Sequence, residues 1–522
     1  MDTIWHGGIA RAGGDYAHAE GIYLASESSQ TTDYPEWEEG QAAALAQPTQ
    51  PVTDPHHRRP SSLTLQPVST RTVLRLAMPA IGEQVLNAII GLTDTVIAGH
   101  IRGTANTIAS ATAAVGLMTY LQWFAGLMTA ALGVGATAIV ARSIGANRTR
   151  VANRVAGTCV SAAFLVGVLT ATGLFVFAHQ VIVICGLTGQ AAVFAQQYLR
   201  IMLITISLQT ASQIGMAAIR GAGDTVNPMR IMFMVMLING VASTAFTYGW
   251  MGAPAWGLPG DAFGTLLAYL TGGVCTSIIL FTGRRQLHLQ MRHLRVVPHV
   301  LRRVLKIGMP SWVEGVLLWA GQFLIVVFVI NTRTDPHGYT LAAHVSVLRI
   351  ESISFLPGFG FGIAASTLVG QYLGAQKPEE ARRAGHIAAW LALVTMTLLA
   401  LPMVFCPQFM LDLIVHSPPV IQVGFWPMIL AGLAQPGFAL AIVFSGALKG
   451  AGETVLPMIS TITGVLLVRL GILALLLLVL WQHHTPATNL TAVWIAVVVD
   501  LNYRAVFNYL AYRHGRWQRL RV

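Results

Sequence analysis

The sequence predicts an all-α integral membrane protein with twelve transmembrane helices, arranged as two parallel six-helix repeats. The first observation is composition: 54% of the 522 residues are hydrophobic and 10% are charged, whereas about 25% are charged in soluble domains. The second is a series of apolar runs, such as 231–250, 387–405 and 465–481, each close to the roughly 20 residues that cross a bilayer as a helix. The third is a ten-residue motif that occurs twice.

Polar and basic segments divide the chain into twelve predicted spans. They lie at 73–99, 107–141, 152–178, 193–219, 228–250, 262–283, 304–330, 339–371, 384–405, 421–448, 455–481 and 490–512. With a cytoplasmic N-terminus, 26 of the 32 Lys and Arg residues fall on the cytoplasmic side. This asymmetry predicts a multi-pass protein of the cell (inner) membrane with both termini in the cytoplasm. It also argues against a nucleic-acid partner, although the net charge is +11.

The two halves of the chain repeat one another. Residues 220–229 read RGAGDTVNPM and residues 449–458 read KGAGETVLPM, so seven of ten positions are identical at an offset of 229. VLRLAMPAIGE at 73–83 likewise matches VLKIGMPSWVE at 304–314. Six helices per repeat return the chain to the same side of the membrane, so the repeats are parallel. We expect Asp224 and Glu453 to cap the helices that follow them.

Five domains follow from these boundaries. Residues 1–70 form a polar cytoplasmic tail whose composition is typical of disorder. Residues 71–284 form the N-terminal six-helix lobe and 304–512 the C-terminal lobe, joined by a basic cytoplasmic linker at 285–303. Residues 513–522 form a basic cytoplasmic tail.

Several segments together resemble the multidrug and toxic compound extrusion (MATE) family of cation-coupled antiporters, bacterial type. They include LAMPAIGEQVLNAIIGLTDTVIAGH at 76–100, IVARSIGAN at 139–147 and the two GAG motifs. The resemblance covers about 71–517 and implies a V-shaped pair of lobes around a central cavity. It implies export of cationic or amphiphilic small molecules, such as drugs, toxins or metabolites, in exchange for Na⁺ or H⁺ by alternating access of the lobes.

Other functional classes fit the sequence less well. A lipid-linked oligosaccharide or lipid flippase of a related superfamily is expected to line its cavity with several arginines, but we count only Arg349, Arg469 and Arg504 as embedded in the membrane, the others being assigned to the two membrane sides. The chain has no HExxH or G-x-S-x-G motif of an enzyme and no P-loop of an ATP-driven pump. We therefore expect no enzyme and no cofactor beyond the coupling ion. The protein should act as a monomer in the bilayer on a small-molecule substrate.

Carboxylates within spans are the candidate coupling groups, because each costs at least a few kcal/mol in a membrane. The resemblance implies that Asp94, in GLTDTVIAG, is the coupling acid, with Asn239 and Thr265 as hydrogen-bond partners or Na⁺ ligands. No other metal site is predicted. Burial disfavours the ionised carboxylate, whereas bound Na⁺ or a cationic substrate favours it. Alternatively, Asp94 only bonds to Thr93 or Thr95.

Glu83 precedes Asp94 by eleven residues, which places both acids on one helix face, about 16 Å apart. Glu83 and its repeat mate Glu314 either act in transport, by relaying protons or receiving substrate on the inner side, or are paired acids near the lobe interface that close one gate. In the second lobe, Glu351 and Arg349 stand two positions apart and do not face each other. Arg349 is expected to find a partner such as Glu314.

A relay from Glu351 through His344 and a buried structural network are both open. Asp500 and Arg504, four residues apart, should pair within one helix. We expect Gln209 and Gln213 to join the polar groups around Asp94 or to line the substrate cavity, together with Trp123 and Phe359. Family positions that carry further acids are occupied here by Ser243, Leu318 and Phe438. We therefore place the ion chemistry in the first lobe.

Overall fold

The computed structural model describes residues 67–184, 187–283, 287–326, 335, 338–480 and 485–520. Twelve long helices follow one another along this part of the chain. They are α1 Thr70–Gly99, α2 Ala105–Gly145, α3 Thr149–Val176, α4 Gly189–Gly221, α5 Val226–Tyr248, α6 Leu258–Thr282, α7 Pro298–Ile325, α8 Tyr339–Gly374, α9 Pro378–Phe405, α10 Pro418–Gly450, α11 455–480 and α12 Pro486–His514. Short helices occupy Ala178–Ile184 and Pro407–Asp412, and 3₁₀ turns occupy Trp250–Gly252, Met291–Leu294 and Arg516–Arg519.

Eleven of these helices are long and apolar enough to cross a membrane. The remaining one, α7, has 28 described residues, and positions 327–330 of its predicted span lie outside the described residues. Helix α7 begins at Pro298, so it takes in the end of the segment predicted as a linker. Residues 1–66 of the predicted tail also lie outside the described residues. The predicted all-α fold is confirmed.

The two GAG turns have the capping role expected from the sequence. Asp224 Oδ1 accepts the backbone N–H groups of Val226 and Asn227, each at 3.1 Å. Glu453 Oε1 accepts those of Val455 and Leu456 at 3.1 and 3.2 Å. These bonds satisfy amide groups that the first turn of a helix leaves without partners. We call the end of the molecule that carries both turns the motif end.

The described residues from 59 onward form one compact unit, within which the helices pack as two lobes, α1–α6 and α7–α12. In the first lobe α2 packs on α4, α4 on α6, α5 on α6, α3 on α4 and α1 on α5. In the second lobe α8 packs on α10, α10 on α12, α11 on α12, α9 on α10 and α7 on α11. Every pair in one lobe thus has its counterpart in the other, as the repeat predicts.

The lobes meet through α1 with α8, α2 with α7 and α2 with α8. Helices α2 and α8 cross where each ends at a glycine, because a Cβ at Gly145 or Gly374 would collide with the backbone of Gln371 or Arg142, respectively. Gln371 Nε2 donates to the carbonyl of Gly221 at 3.0 Å, and Arg142 Nη1 donates to that of Ala451 at 3.3 Å. The donors Arg142 and Gln371 are 229 residues apart and the acceptors Gly221 and Ala451 are 230 apart, so the two bonds are similar but not exact counterparts. We call the whole junction of α1, α2, α7 and α8 the seam.

Each lobe also lends the start of its first helix to the core of the other. Val73, Leu76 and Ala77 of α1 pack with buried residues of α8, α9 and α10 in the second lobe. Val304 of α7, the repeat mate of Val73, packs with buried residues of α2, α3 and α4 in the first. The motif end is therefore closed by two cores that both contain residues from the two lobes.

The segment that follows α12 also helps to close the motif end. Trp517 is fully buried and stacks on Tyr512 with ring centroids 4.6 Å apart. The carbonyl of Leu520 accepts a hydrogen bond from Arg142 Nη2 at 2.5 Å. The described part of the segment predicted as a C-terminal tail thus bridges the second lobe to the first.

Candidate functional site

Asp94 lies inside the first lobe, where α1 faces α5 and α6. It is 6% exposed, and Asn239 Nδ2 donates to its Oδ1 at 3.0 Å. Thr265 Oγ1 donates to the same oxygen at 3.5 Å and accepts from Asn239 Nδ2 at 3.0 Å. The structure therefore brings together the three residues that the sequence grouped.

The alternative, in which Asp94 bonds to its neighbours along the helix, is not what the structure shows. Thr93 Oγ1 donates to the carbonyl of Ile89, and Thr95 Oγ1 donates to that of Gly91, each at 2.9 Å. Both hydroxyls thus bond to their own helix, as threonines within helices often do. The partners of Asp94 come from the helices packed against α1.

A second carboxylate, Asp261, completes the cluster and was missed from the sequence. It lies in the first turn of α6 and is fully buried. Tyr198 Oη donates to its Oδ2 at 3.3 Å, and Ser243 Oγ donates to its backbone carbonyl at 3.1 Å. The predicted span began at 262, so Asp261 was counted with a loop. The signal that could have found it is its spacing of one helical turn before Thr265.

The two carboxylates share a site that has no basic partner. Asp94 and Asp261 lie close enough to repel each other electrostatically, and within the described ranges neither forms an ion pair with Lys, Arg or His. Two buried negative charges without compensation are very costly. The cluster therefore needs a proton or another cation. Asn239 Oδ1 and Asp261 Oδ1, both buried without a hydrogen-bond partner, are oxygens of the kind that Na⁺ binds.

Gln209 and Gln213 do not join this cluster, contrary to one of our two expectations for them. Gln209 is buried and Gln213 half-buried on α4, and neither bonds to Asp94. Helix α4 contributes Tyr198 instead, which lies about three turns before Gln209. The hydroxyl of Tyr lies farther from its Cα than the amide group of Gln does, so it can bond to a more distant partner. A lining role for the two glutamines in a substrate cavity remains a prediction.

Away from this cluster, Glu83 and Glu314 are paired acids at the motif end. Glu83 Oε1 forms an ion pair with Arg220 Nη1, and Glu314 Oε2 forms one with Lys449 Nζ at 2.9 Å. Arg220 and Lys449 are the first residues of the two GAG motifs. Thr461 Oγ1 also donates to Glu314 at 3.3 Å. Of our two hypotheses for these acids, the geometry favours the paired acid over the proton relay.

The second lobe holds a compensated charge network. Asp500 Oδ2 lies 2.7 Å from Arg504 Nη2, as the sequence predicted, and 2.6 Å from Arg469 Nη2. Arg469 closes a π-helical segment of α11 at Thr463–Arg469. Glu351 is buried, and its Oε1 accepts from Gln435 Nε2 at 3.3 Å. A structural network therefore describes this region better than a relay.

One predicted contact of α8 is wrong, and one alternative lacks the hydrogen bond that it would use. His344 Nε2 bonds to Gln322 Nε2 of α7 at 2.9 Å rather than to Glu351. Arg349 does not pair with Glu314, which is held by Lys449. The guanidinium is instead exposed, since helical phase places Arg349 on the interlobe face of α8 and Glu351 inside the lobe.

Beyond the seam, the interlobe faces of α1, α2, α7 and α8 carry exposed residues, which indicates a cleft between the lobes. On α8, Gly360 faces Ile81 of α1, and Ile353 and Arg349 share that face within about 20°. On α7, Gly308 faces Ala131 of α2, and Trp319 shares its face within about 20°. On α1, α2, α7 and α8, residues that lie on these contact faces but farther from the motif end are exposed. The cleft is lined by Leu92, Tyr120, Phe124, Trp319, Arg349 and Ile353.

The predicted aromatic cavity residues take different places. Trp123 is 69% exposed and lies beside Phe124 at the edge of the cleft face of α2. Phe359 is 43% exposed on α8, about a quarter turn from the face that bears Gly360. Asp94 is on the side of α1 opposite Leu92, so the acid cluster and the cleft lie on either side of one helix. In the part of the chain that is described, no group of three or more His, Cys, Asp or Glu can hold a metal ion.

Comparison with known proteins agrees with this arrangement. The MatE family model matches residues 79–244 and 310–475, once in each lobe. A probable multidrug resistance protein NorM of Thermotoga maritima is 27% identical over 462 residues, which covers 87% of this chain and 95% of that protein. The multidrug resistance protein MdtK of Yersinia enterocolitica is 26% identical over 450 residues, covering 85% and 95%.

The fold is also that of solved transporters. A structure described as the outward-facing conformation of a multidrug resistance MATE family transporter of the MOP superfamily matches with a TM-score of 0.77 at 22% identity. The match covers 89% of this chain and 100% of that one. Together with the double match of the family model, which spans more than half of the chain, this means that the chain belongs to the MatE family of multidrug efflux transporters.

Proposed function

We propose that this protein is a secondary active antiporter that exports cationic or amphiphilic small molecules in exchange for Na⁺ or H⁺ by alternating access of its two lobes. The observation that carries the proposal is the buried pair Asp94 and Asp261, which has no basic partner among the described residues. Such a pair is stable only while it holds a proton or a metal cation. Ion coupling requires a site that binds a cation and releases it in each transport cycle, and this carboxylate pair can serve as that site.

Helix α1 connects the ion cluster to the substrate pathway. Its inner face carries Asp94, and its opposite face carries Leu92 in the cleft and Ile81 at the seam. Loading the carboxylates with a cation removes their mutual repulsion and lets α5 and α6 pack closer to α1. Because α1 also forms part of the seam, its position can favour one state of the lobes over the other. The bound cation is therefore coupled to transport because it changes the relative stability of the two states of the lobes.

The distribution of basic residues supports a cytoplasmic location for the motif end. The described conformation then has a closed cytoplasmic side and a cleft open toward the other side. Substrate is released from this state and a cation enters the Asp94 cluster. Opening of the seam completes the cycle. A flippase role has less support, because Arg469 and Arg504 are buried against Asp500 rather than exposed in the cleft.

The test is gradient-driven efflux of a fluorescent cationic dye, ethidium, from proteoliposomes carrying an imposed Na⁺ or H⁺ gradient. Wild type should export the dye when one of the two gradients is imposed, and should not export it when no gradient is present. Asp94→Asn and Asp261→Asn should each lose most coupled export while inserting normally, since an amide cannot exchange a cation. Asp412→Asn, an exposed acid in the short helix Pro407–Asp412 of the second lobe, is the matched control. Full coupled transport by Asp94→Asn would contradict the proposal.

A further inference from the structure

Arg349 is a cation on the wall of the cleft. It stands on the face of α8 that meets α1 at Gly360, about 16 Å farther from the motif end. Ile353, between them on the same face, is 63% exposed, so the face emerges from the seam at this point. Because this face meets α1 at Gly360 and is already exposed at Ile353, the exposed Arg349 side chain is directed at the cleft rather than at the outer surface of the lobe.

No acid of the described chain neutralises Arg349. Its neighbour Glu351 points into the lobe and bonds to Gln435. The other acids embedded in this lobe are occupied, since Glu314 pairs with Lys449 and Asp500 with two arginines. Arg349 itself forms no ion pair in the described ranges. Its planar fork of donors is thus open to an anionic partner, to which it can bind through two hydrogen bonds.

The rest of the cleft wall is aromatic and apolar. Trp319 and Phe323 of α7 stack with ring centroids 5.7 Å apart and an interplanar angle of 5°, and both are about half exposed. Tyr120 and Phe124 of α2 are exposed on the facing helix. Such rings favour flat apolar molecules. The six cleft residues named above include one charged group, and it is positive.

We infer that Arg349 is a specificity-determining residue that selects amphiphiles carrying an anionic group on a planar apolar body. The inference rests on the proposed export function and narrows its substrate class. The anionic group of the substrate bonds to the Arg349 guanidinium, and the planar body lies against Trp319 and the aromatic side chains of α2. A substrate without a negative group keeps the apolar contacts but lacks the ion pair.

Two xanthene dyes test this inference, because they share a planar body and differ in charge. Fluorescein carries a free carboxylate, whereas rhodamine 123 is a cationic ester. Binding is measured by fluorescence anisotropy on the full chain in lipid nanodiscs, with empty nanodiscs subtracted. Arg349→Gln should weaken fluorescein binding about tenfold, the effect of losing a charge-assisted hydrogen bond, and leave rhodamine 123 unchanged or slightly tighter. Arg349→Lys should retain part of the preference.

The matched control is Arg200→Gln, which removes an exposed arginine of α4 outside the four cleft-facing helices. It should change neither dye. Unchanged fluorescein binding by Arg349→Gln, or equal weakening of both dyes, would overturn the inference. So would failure of wild type to bind fluorescein above the nanodisc background. These measurements need no ion gradient. Loss of gradient-driven efflux alongside an intact dye preference would therefore count against the proposed function alone.

Discussion

The two lobes share a scaffold but differ in their buried chemistry. Both have the same helix packing, the same capped GAG turn and the same glutamate paired with the first residue of that turn. The acid cluster is not repeated. At the offset of 231 that relates α1 to α7, Asp94 corresponds to Ile325, and at the offset of 229, Asn239, Asp261 and Thr265 correspond to Val468, Leu490 and Trp494. Duplication has preserved the residues that build turns and the seam, while the lobe interiors have diverged.

The divergence separates two uses of buried charge. The first lobe holds two carboxylates without a basic partner in the described structure, so its charge is completed from outside. The second lobe places Asp500 between Arg469 and Arg504, so its charge is compensated within the protein. The first arrangement suits reversible ion binding and the second suits rigidity. Each of the following predictions tests one side of this comparison.

The largest difference in stability should separate Asp500→Asn from Asp94→Asn. Removing Asp500 deprives two buried arginines of the carboxylate that contacts both of them and should cost about 3–5 kcal/mol of unfolding free energy. Removing one of two repelling acids should change stability by less than about 1 kcal/mol. Thermal unfolding in nanodiscs, followed by intrinsic fluorescence, measures both. Equal losses would mean that the lobes do not differ in this way.

The paired glutamates should behave alike in the two lobes. Glu83→Gln and Glu314→Gln each leave a partly buried cation unpaired and should lower stability by about 1–3 kcal/mol. The double variants Glu83→Gln with Arg220→Met and Glu314→Gln with Lys449→Met should recover part of the loss. The same unfolding assay applies. A large effect in one lobe alone would restrict the symmetry to the backbone.

Both hydrogen bonds of the seam should hold the motif end closed. Gln371→Leu should remove about 1 kcal/mol from the closed state, which raises the open population about fivefold. Arg142→Leu should have at least as large an effect, because Arg142 also donates to Leu520. Spin labels at positions 150 and 379, in a cysteine-free background, should show a second population of longer label-to-label distances in pulsed electron paramagnetic resonance. Arg230→Leu, an exposed arginine outside the seam, should leave the distribution unchanged. Lengthening in only one seam variant would show that only one of the bonds holds the motif end closed.

The smallest effects should come from the helix caps. Asp224→Ala and Glu453→Ala should each cost about 1 kcal/mol. Asp224 also accepts from Asn227 Nδ2 at 2.6 Å, so its replacement should be the more costly of the two. Their unfolding midpoints, compared with that of exposed Asp412→Ala, measure the difference. A greater loss for Glu453→Ala would contradict this order.

Much of the fold could be predicted because it depends on local patterns. Apolar length, basic loops and the repeated GAG motif report directly on spans, orientation and duplication. The grouping of Asp94 with Asn239 and Thr265 came instead from the family resemblance. The repeat could also identify Glu83 and Glu314 as equivalent.

Other contacts depend on packing between distant segments. Arg220 lies 137 residues from Glu83 along the chain, and nothing local pairs them. Asp261 was missed because the predicted span began at 262, four residues after the start of α6 at Leu258, and this error left Asp261 in a loop. Arg349 was assigned a buried partner because the sequence does not show that the lobes separate beside it.

At the motif end, the start of each lobe's first helix packs in the core of the other lobe, and this has a consequence for biogenesis. The N-terminal lobe leaves the ribosome before α7, yet its core contains Val304 of that helix. It therefore waits in the membrane with an incomplete core, while Val73, Leu76 and Ala77 have no partner until α8 to α10 are inserted. Neither half is a self-sufficient folding unit. A chain divided between α6 and α7 should assemble only when both halves are co-expressed, and each half alone should be a substrate for membrane quality control.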